Sequence, residues 1–521
     1  MMNNANLIHQ NSYKNNARAG EESRRQRREY TIELRKSKKE HELSMRRNIV
    51  DQAVSPISLQ TNKQLSNQMN VEEIARAIQG KNKEQQFFGM QAARKMLSVE
   101  SITNIDMIVR YGIVPIAIRF LNDFLNPALQ FEAAWVLISI ASGNTEHRQI
   151  VIKHNAIPQI VALLQCNSAN LVEHAVWVLG KIANDNVEAR NMILSYNIVT
   201  TILKLIHNDM PLYMLRIVAW LMSNLCDNKI SSPPLGEIQL LVPVLSKLLC
   251  VNDVQVMAHA CCALSYFTAS GNDMIQIVVD TNVVPQLIAM LGSENPYIVA
   301  LALRTVGNIA SGTNTHADQV IKANGLQKMA ALLYNDDSNI MMDAAWTIGN
   351  ITAGNQEQIQ AVLDANLFTH IRQILVQGHF LAQREAARAV TNATINGSTD
   401  QVKNFWEKYD MLKPLSDLLS GSDTDTIHIV LIGLSNIFLE AITIEKLNYL
   451  SIIFEEIGGL HKVERLQYHE NEDIYEAAYA FIDAYFSNDY ETDDEFQPQV
   501  VDDQLYFDAS DQKMPNGGFS F

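Results

Sequence analysis

One helical segment returns seven times along this 521-residue chain, and its register barely drifts. FEAAWVLISIASG, EHAVWVLGKIAND, LRIVAWLMSNLCD, AHACCALSYFTAS, ALRTVGNIASG, DAAWTIGNITAG and REAARAVTNATING align without gaps around one anchor each. The anchors are Trp135, Trp177, Trp220, Cys262, Arg304, Trp346 and Arg388, spaced by 42, 43, 42, 42, 42 and 42 residues. A unit this short, with apolar faces that only its neighbours can cover, must stack. That excludes a doubly wound sheet, a barrel and a single globular core.

A second marker runs in step with the first. Gly112, Asn155, Asn197, Asn282, Asn324, Asn366, Asp410 and Gly458 each precede a segment resembling IVPIAIRFL. Gly, Asn and Asp best tolerate the left-handed conformation that closes a helix. Pro115, Pro158 and Pro285 follow near the start of the next helix, where a missing N–H costs little. Each unit therefore reads as a short helix, a long helix, a turn and a long helix. A helical period of about 40–47 residues is that of armadillo and HEAT solenoids. The expected architecture is all-α, a right-handed superhelical armadillo-repeat solenoid. Eight units are clear, and nine or ten are expected because terminal repeats diverge.

Charge divides the chain into three. Residues 1–69 hold 13 Lys+Arg against 7 Asp+Glu; the rest holds 28 against 50. A basic arm with a polar linker (1–69) thus precedes the repeats (70–487), and an acidic, turn-rich tail (488–521) follows, both ends expected to be disordered or extended. The five cysteines are scattered with no paired CxxC spacing, so the sequence points to buried thiols rather than zinc or disulfides. The polar start lacks the apolar segment of a signal peptide, and no stretch suggests the ~20 apolar residues of a membrane span. There is no P-loop, no GxGxxG after a strand, no HExxH and no plausible Ser/His/Asp set, so neither an enzyme nor a cofactor or metal site is expected.

The chemistry concentrates on the anchor and the residue four positions later, one turn apart on a helix face. The pairs are Trp135/Ser139, Trp177/Lys181, Trp220/Asn224, Cys262/Tyr266, Arg304/Asn308, Trp346/Asn350 and Arg388/Asn392. Stacked indoles make slots for the stems of Lys or Arg, with a cation–π contribution of ~0.5–2 kcal/mol. An Asn amide both donates and accepts, and so can hold an extended backbone whatever its side chains. Glu132, Glu173, Asp343 and Glu385 would select positive charge. Read this way, the rows form a groove for an extended basic peptide. The competing reading is that Trp and Asn simply pack between repeats.

From the arm through to the tail, the sequence closely resembles the importin α family. ELRKSKKEHELSMRRNI resembles its importin-β-binding segment; LQFEAAWVLISIASG, EHAVWVLG, LRTVGNIASGT, WTIGNITAGNQEQIQ and FEEIGGLHKVERLQYHENEDIYEAA resemble its armadillo repeats; PNGGFSF resembles its ending. The resemblance implies a nuclear import adaptor shuttling between cytoplasm and nucleus. Arg24, Arg25, Arg27, Arg28, Arg35, Lys36, Lys38, Lys39, Arg46 and Arg47 would bind importin β. Nuclear-localisation signals of cargo would occupy a larger site (Trp135, Ser139, Gly143, Trp177, Lys181, Asp185, Trp220, Asn224, Tyr266) and a smaller one (Arg304, Asn308, Asp343, Trp346, Asn350, Glu385, Asn392). The last repeats and tail would meet a nuclear export receptor. Neither nucleic acid nor membrane is an expected partner: an acidic body repels phosphate.

This chain departs from the family at the larger site. Ser139 and Lys181 replace Asn, and Arg148 replaces a Thr that, with Gly143 and Asp185, would receive the key cargo lysine. A fixed cation there repels lysine or pairs with Asp185 in its place. Arg388 replaces a Trp at the smaller site, which is otherwise kept. The expectation is a weakened larger site. The arm's Arg46-Arg47 pair imitates cargo but follows Met45 where the family has Lys, so weak autoinhibition is expected. An armadillo scaffold without a transport role is the alternative.

Overall fold

The computed structural model describes residues 69–98, 102–207, 209–227, 233–487, 499–501 and 504–506. The whole basic segment from Arg24 to Arg47 therefore lies outside the described residues. The chain divides into two compact units, residues 1–401 and 402–521.

Eight long helices form the spine of the first unit: α1 (Lys83–Leu97), α2 (Pro127–Ala141), α3 (Ala169–Ala183), α4 (Leu212–Leu225), α5 (Val254–Thr268), α6 (Pro296–Ala310), α7 (Ser338–Thr352) and α8 (Phe380–Asn396). Each packs on the next. All seven anchors fall on α2–α8, one per helix. Their apolar residues are buried nearly all round, as befits helices covered by a repeat on each side.

The unit differs in order from the reading above. Two short helices, such as Thr145–Lys153 and Ala156–Leu163, precede α2–α4 and α6–α8, with the left-handed residue between the short pair; α5 follows Leu235–Ile238, Gln239–Leu241 and Val242–Leu248 without such a residue, and only Val71–Gln79 is described before α1. All eight marker positions have positive φ, from 49° at Asp410 to 73° at Gly458. The sharp bend belongs there because an eight-residue helix must fold back at once onto its predecessor, and Asn or Gly reaches αL with least strain.

A further device fixes the entrance to the first short helix. In Asn144–His147 and Asn355–Gln358 the Asn caps the helix while the ring or amide three residues on accepts the cap's own N–H. His316 accepts the N–H of Thr313 in the same way. The preceding glycines permit this fold-back. A Cβ on Gly143, Gly312 or Gly354 would lie 2.2, 2.4 or 1.6 Å from the His147, His316 or Gln358 side chain. The recurrent SG and AG endings are thus steric requirements. The same side chains reach the previous repeat: His147 Nε2 lies 2.8 Å from Asp106 and Gln358 Nε2 donates to Asp318 at 2.7 Å.

The second unit contains α9 (Thr424–Thr443) and α10 (Glu472–Tyr485), which pack together. Phe438 anchors an aromatic cluster with Phe454 and Phe481 at ring distances of 5.3 and 5.1 Å. Tyr485 Oη donates to the Ser435 carbonyl at 3.0 Å. α9 corrects one expectation: at 20 residues with mean hydropathy 1.7 it is long and apolar enough to cross a membrane. It is instead the core helix of this unit, 67% buried. Within the tail, Gln499–Val501 pairs antiparallel with Gln504–Tyr506.

The cysteines are free, with Cys226, Cys261 and Cys262 buried. Cys166 is half-buried and Cys250 exposed, so the expectation of uniformly buried thiols holds for three of five. Among the described residues no His/Cys/Asp/Glu group could hold a metal.

Candidate functional site

The anchor ladder is tied together by contacts that the sequence reading did not foresee. Asn224, Asn350 and Asn392 each donate through Nδ2 to a glycine carbonyl one repeat back: Gly180 at 3.1 Å, Gly307 at 3.0 Å and Gly349 at 2.9 Å. Asn308 does the same to Ser265 at 3.1 Å and adds Thr268 Oγ1 at 3.2 Å. All four amides are buried. One donor of each is therefore used between repeats, as the packing reading required. The remaining polar atoms are what a ligand could use, and Asn350 Oδ1 is buried without a hydrogen-bond partner.

The indoles follow the same logic. Trp220 lies against Gly180 and Trp346 against Gly307, so close that a Cβ would meet the ring at 2.3 and 2.1 Å. The glycine one residue before the partner position thus seats the next repeat's indole and amide together. That signal was present in WVLG, RTVG and WTIG, but a glycine inside a helix reads as a propensity loss until the neighbouring helix is in place. Trp135, Trp220 and Trp346 are buried, while Trp177 is half-buried and lies 5.0 Å from the Trp220 ring. Trp135 and Phe131 both contact His174, at 6.3 and 4.8 Å; burial pushes that imidazole down to about 4, so it is neutral.

The early rungs are already supplied with cations. Arg148 donates from Nε to Asp185 at 2.6 Å and from a terminal nitrogen to the Gly143 carbonyl at 2.7 Å. The Asp185 side chain is only 1% exposed beneath it. Lys181 places Nζ 5.8 Å from its own Trp177 ring. Arg94 holds Glu132 at 2.5 Å, so an acid expected to face the groove belongs to a buried ion pair. Burial raises the Glu132 carboxyl although Arg94 pulls the other way. Ser139 donates to its own Trp135 carbonyl at 3.1 Å.

The later rungs keep the amide bridges on three successive helices. Their acids differ too: Glu385 lies 3.6 Å from Arg384 and 3.5 Å from Arg388. Arg304, Asp343 and Trp346 are buried, and Tyr266 is half-buried with its hydroxyl raised well above the usual range by burial. The expected residues of each site thus lie on consecutive helices of one unit: the larger on α2–α5 (Gly143 and Asp185 just after α2 and α3), the smaller on α6–α8.

A helical-repeat protein with an aligned Trp/Asn ladder and a basic leading arm is a binding scaffold rather than an enzyme. Residues 144–184, 271–311 and 313–353 match the Armadillo/beta-catenin-like repeat family, and 448–499 match the Atypical Arm repeat. Residues 9–91 match the Importin beta binding domain. The chain is 43% identical over 488 residues to Importin subunit alpha-B of Dictyostelium discoideum, covering 92% of this chain and 93% of the relative. It is 35% identical over 512 residues to Importin subunit alpha-3 of Arabidopsis thaliana, covering 96% of each. The crystal structure of an engineered protein superposes with a TM-score of 0.71 at 25% identity, covering 80% of this chain and 98% of that one. The chain belongs to the importin α family: it is an armadillo-repeat nuclear import adaptor, with an importin-β-binding domain at its start.

Proposed function

We propose that cargo signals bind along the α2–α8 ladder, mainly over the later rungs, because the early rungs are occupied by the protein's own cations. The observation that carries this is Arg148, whose guanidinium fills the Asp185 carboxylate and the Gly143 carbonyl. An incoming lysine would have to displace a charge-assisted contact held by a tethered group. Close charges in a partly desolvated site matter by ~1–4 kcal/mol, tenfold or more in affinity. Lys181 does the same to the half-buried Trp177 indole.

The later rungs offer amides in succession. A peptide N–H reaching Asn350 Oδ1 satisfies a buried acceptor that lacks a partner, a term of ~1–3 kcal/mol. In this reading the arm, Arg24 to Arg47, recruits importin β, and the last repeats and tail meet an export receptor that returns the adaptor to the cytoplasm. The exposed Tyr475 and Tyr479 beside Glu472 and Asp473 suit such a contact.

Fluorescence-anisotropy titration of a labelled basic peptide tests the division. Asn350→Ala should weaken binding more than Trp220→Ala does; a larger loss from Trp220→Ala would refute it.

A further inference from the structure

The charge carried by the ladder changes sign along the later helices. α6 holds Arg304 and no acid, α7 holds Asp343 and no base, and α8 holds Arg384 and Arg388 against Glu385 alone. Where α7 presents the Trp346 indole, α8 presents the Arg388 guanidinium, one turn after Arg384 and one turn before Asn392. The packing around it fixes that position. Asn392 donates to the Gly349 carbonyl at 2.9 Å, and Thr352 Oγ1 donates at 2.9 Å to the carbonyl of Ala389, the residue after Arg388. The Arg388 and Arg384 side chains are 14% and 19% exposed, so both cations lie mostly out of water. The short helix packed beside α8, Leu367–Gln377, adds Arg372 and no acid.

Acids on the early rungs clamp their arginines. Arg94 meets Glu132 at 2.5 Å, and Arg148 meets Asp185 at 2.6 Å. On α8 a single oxygen, Glu385 Oε1, stands 3.5 Å from Arg388 Nη1 and 3.6 Å from Arg384 Nε, so two guanidiniums share one distant carboxylate oxygen. A guanidinium is a rigid fork of donors that matches a carboxylate or phosphate, and the match is strongest where water is largely excluded. We infer that Arg388, with Arg384 one turn before it, is an anion-reading rung: it takes a carboxylate or phosphate of the cargo segment next to the basic residues and rejects a lysine there. This rests on the reading that cargo lies along the later rungs, and adds the residue that ends the basic stretch and the charge required beside it.

Packing alone does not call for an arginine at this anchor. Four of the other six anchors are Trp, and an i,i+3 ion pair as long as that of Arg388 with Glu385 adds little stability. The signs instead fit one ligand pattern. Asp343, three residues before Trp346, favours a cation on the α7 rung, while Arg388 on the next helix opposes one. A lysine set against Arg388 meets like charge; a glutamate or phosphoserine meets two guanidiniums. Selectivity for a mixed segment follows from the chain as a whole. Beyond residue 69 it holds 50 acids against 28 bases, so a wholly acidic segment is repelled at long range and an acid enters only when joined to a basic core.

The test titrates the full chain by anisotropy with a labelled lysine-rich peptide flanked by alanines, each alanine replaced in turn by glutamate or by phosphoserine. At one flanking position the anion should raise affinity about tenfold over alanine. Arg388→Gln should abolish that gain, and so should Arg388→Trp, which supplies the anchor found on α7; thermal unfolding of each variant shows that it is folded. A gain with glutamate assigns a carboxylate, and a gain with phosphoserine alone assigns a phosphate. No gain at any position, or a gain kept in either folded variant, overturns the proposal. Asn350→Ala separates the two levels. If it weakens binding of the alanine-flanked peptide while the anion scan is flat, only the role of Arg388 fails; if it leaves binding untouched, the groove reading fails and this proposal with it.

Discussion

The early and later halves of the ladder share one frame and fill it differently. In both, a long helix presents an anchor and a partner one turn on, and on α3, α6 and α7 a glycine before the partner receives the next repeat. Across α6–α8 the partner is always Asn, and three amides knit four helices through Ser265, Gly307 and Gly349. Across α2 and α3 the partners are Ser139 and Lys181, and the polar groups that remain are met by Arg94, Arg148 and the Lys181 ammonium. On the reading proposed above, the difference teaches that a repeat array can retain its packing while closing part of its binding face, because packing uses the indole and one amide donor and recognition the polar atoms left over.

The largest test of that separation is Trp346→Ala against Trp177→Ala. Trp346 is 3% exposed and seated on Gly307, whereas Trp177 is half-buried. Removing a buried Trp costs ~3–5 kcal/mol through lost burial and the cavity left behind. The half-exposed indole should cost less than half as much. Urea denaturation followed by circular dichroism reads both; equal losses would mean the exposed edge at Trp177 carries no functional meaning.

Arg148→Ala sharpens the comparison by moving two quantities in opposite directions. The Asp185 carboxylate, with its side chain 1% exposed, would lose the guanidinium that holds it. Breaking one side of a buried pair costs ~3–5 kcal/mol, discounted here because Arg148 itself is partly exposed, so a loss of about 1–3 kcal/mol is expected. At the same time a free carboxylate and the Gly143 carbonyl become available to a ligand, and affinity for a lysine-rich peptide should rise about tenfold. Isothermal titration beside thermal unfolding measures both. Lower stability with no gain in affinity would show that Arg148 is structural only.

Much of this was legible in the sequence. The 42-residue period set the repeats, and the Asn, Asp and Gly markers located eight left-handed residues, because those are local demands on one residue's backbone; Glu445, left-handed at φ 55°, carried no such signal. Arg148 and Asp185 could be paired beforehand only through the family resemblance, which places both where a cargo lysine would be received. What could not be read were contacts across repeats. Arg94 reaching Glu132 spans 38 residues and has no periodic counterpart. The bridging role of the Asn amides needed the neighbouring glycine carbonyl to be placed in space. The order of short and long helices was misjudged because the marker fixes where a bend falls, not the lengths on either side of it. The arm, where the charge pattern is plainest, lies outside the described residues.

The smallest effect concerns that arm, and it too depends on the early rungs being filled. On the proposed reading Arg46-Arg47, tethered by a polar linker, competes with cargo at an effective concentration of roughly millimolar. Removing residues 1–69 raises cargo affinity by one plus the ratio of that concentration to the arm's own dissociation constant. A dipeptide of arginines without a preceding lysine, meeting acceptors already held by Arg148 and Lys181, should bind no tighter than about 0.1 mM, which limits the gain to less than tenfold. Anisotropy titration of the full and shortened chains with one labelled peptide gives the ratio directly. A hundredfold gain requires an arm affinity near ~10 μM, which the filled early rungs do not allow; it would mean that Arg148 yields its place on Asp185 to the first competing cation.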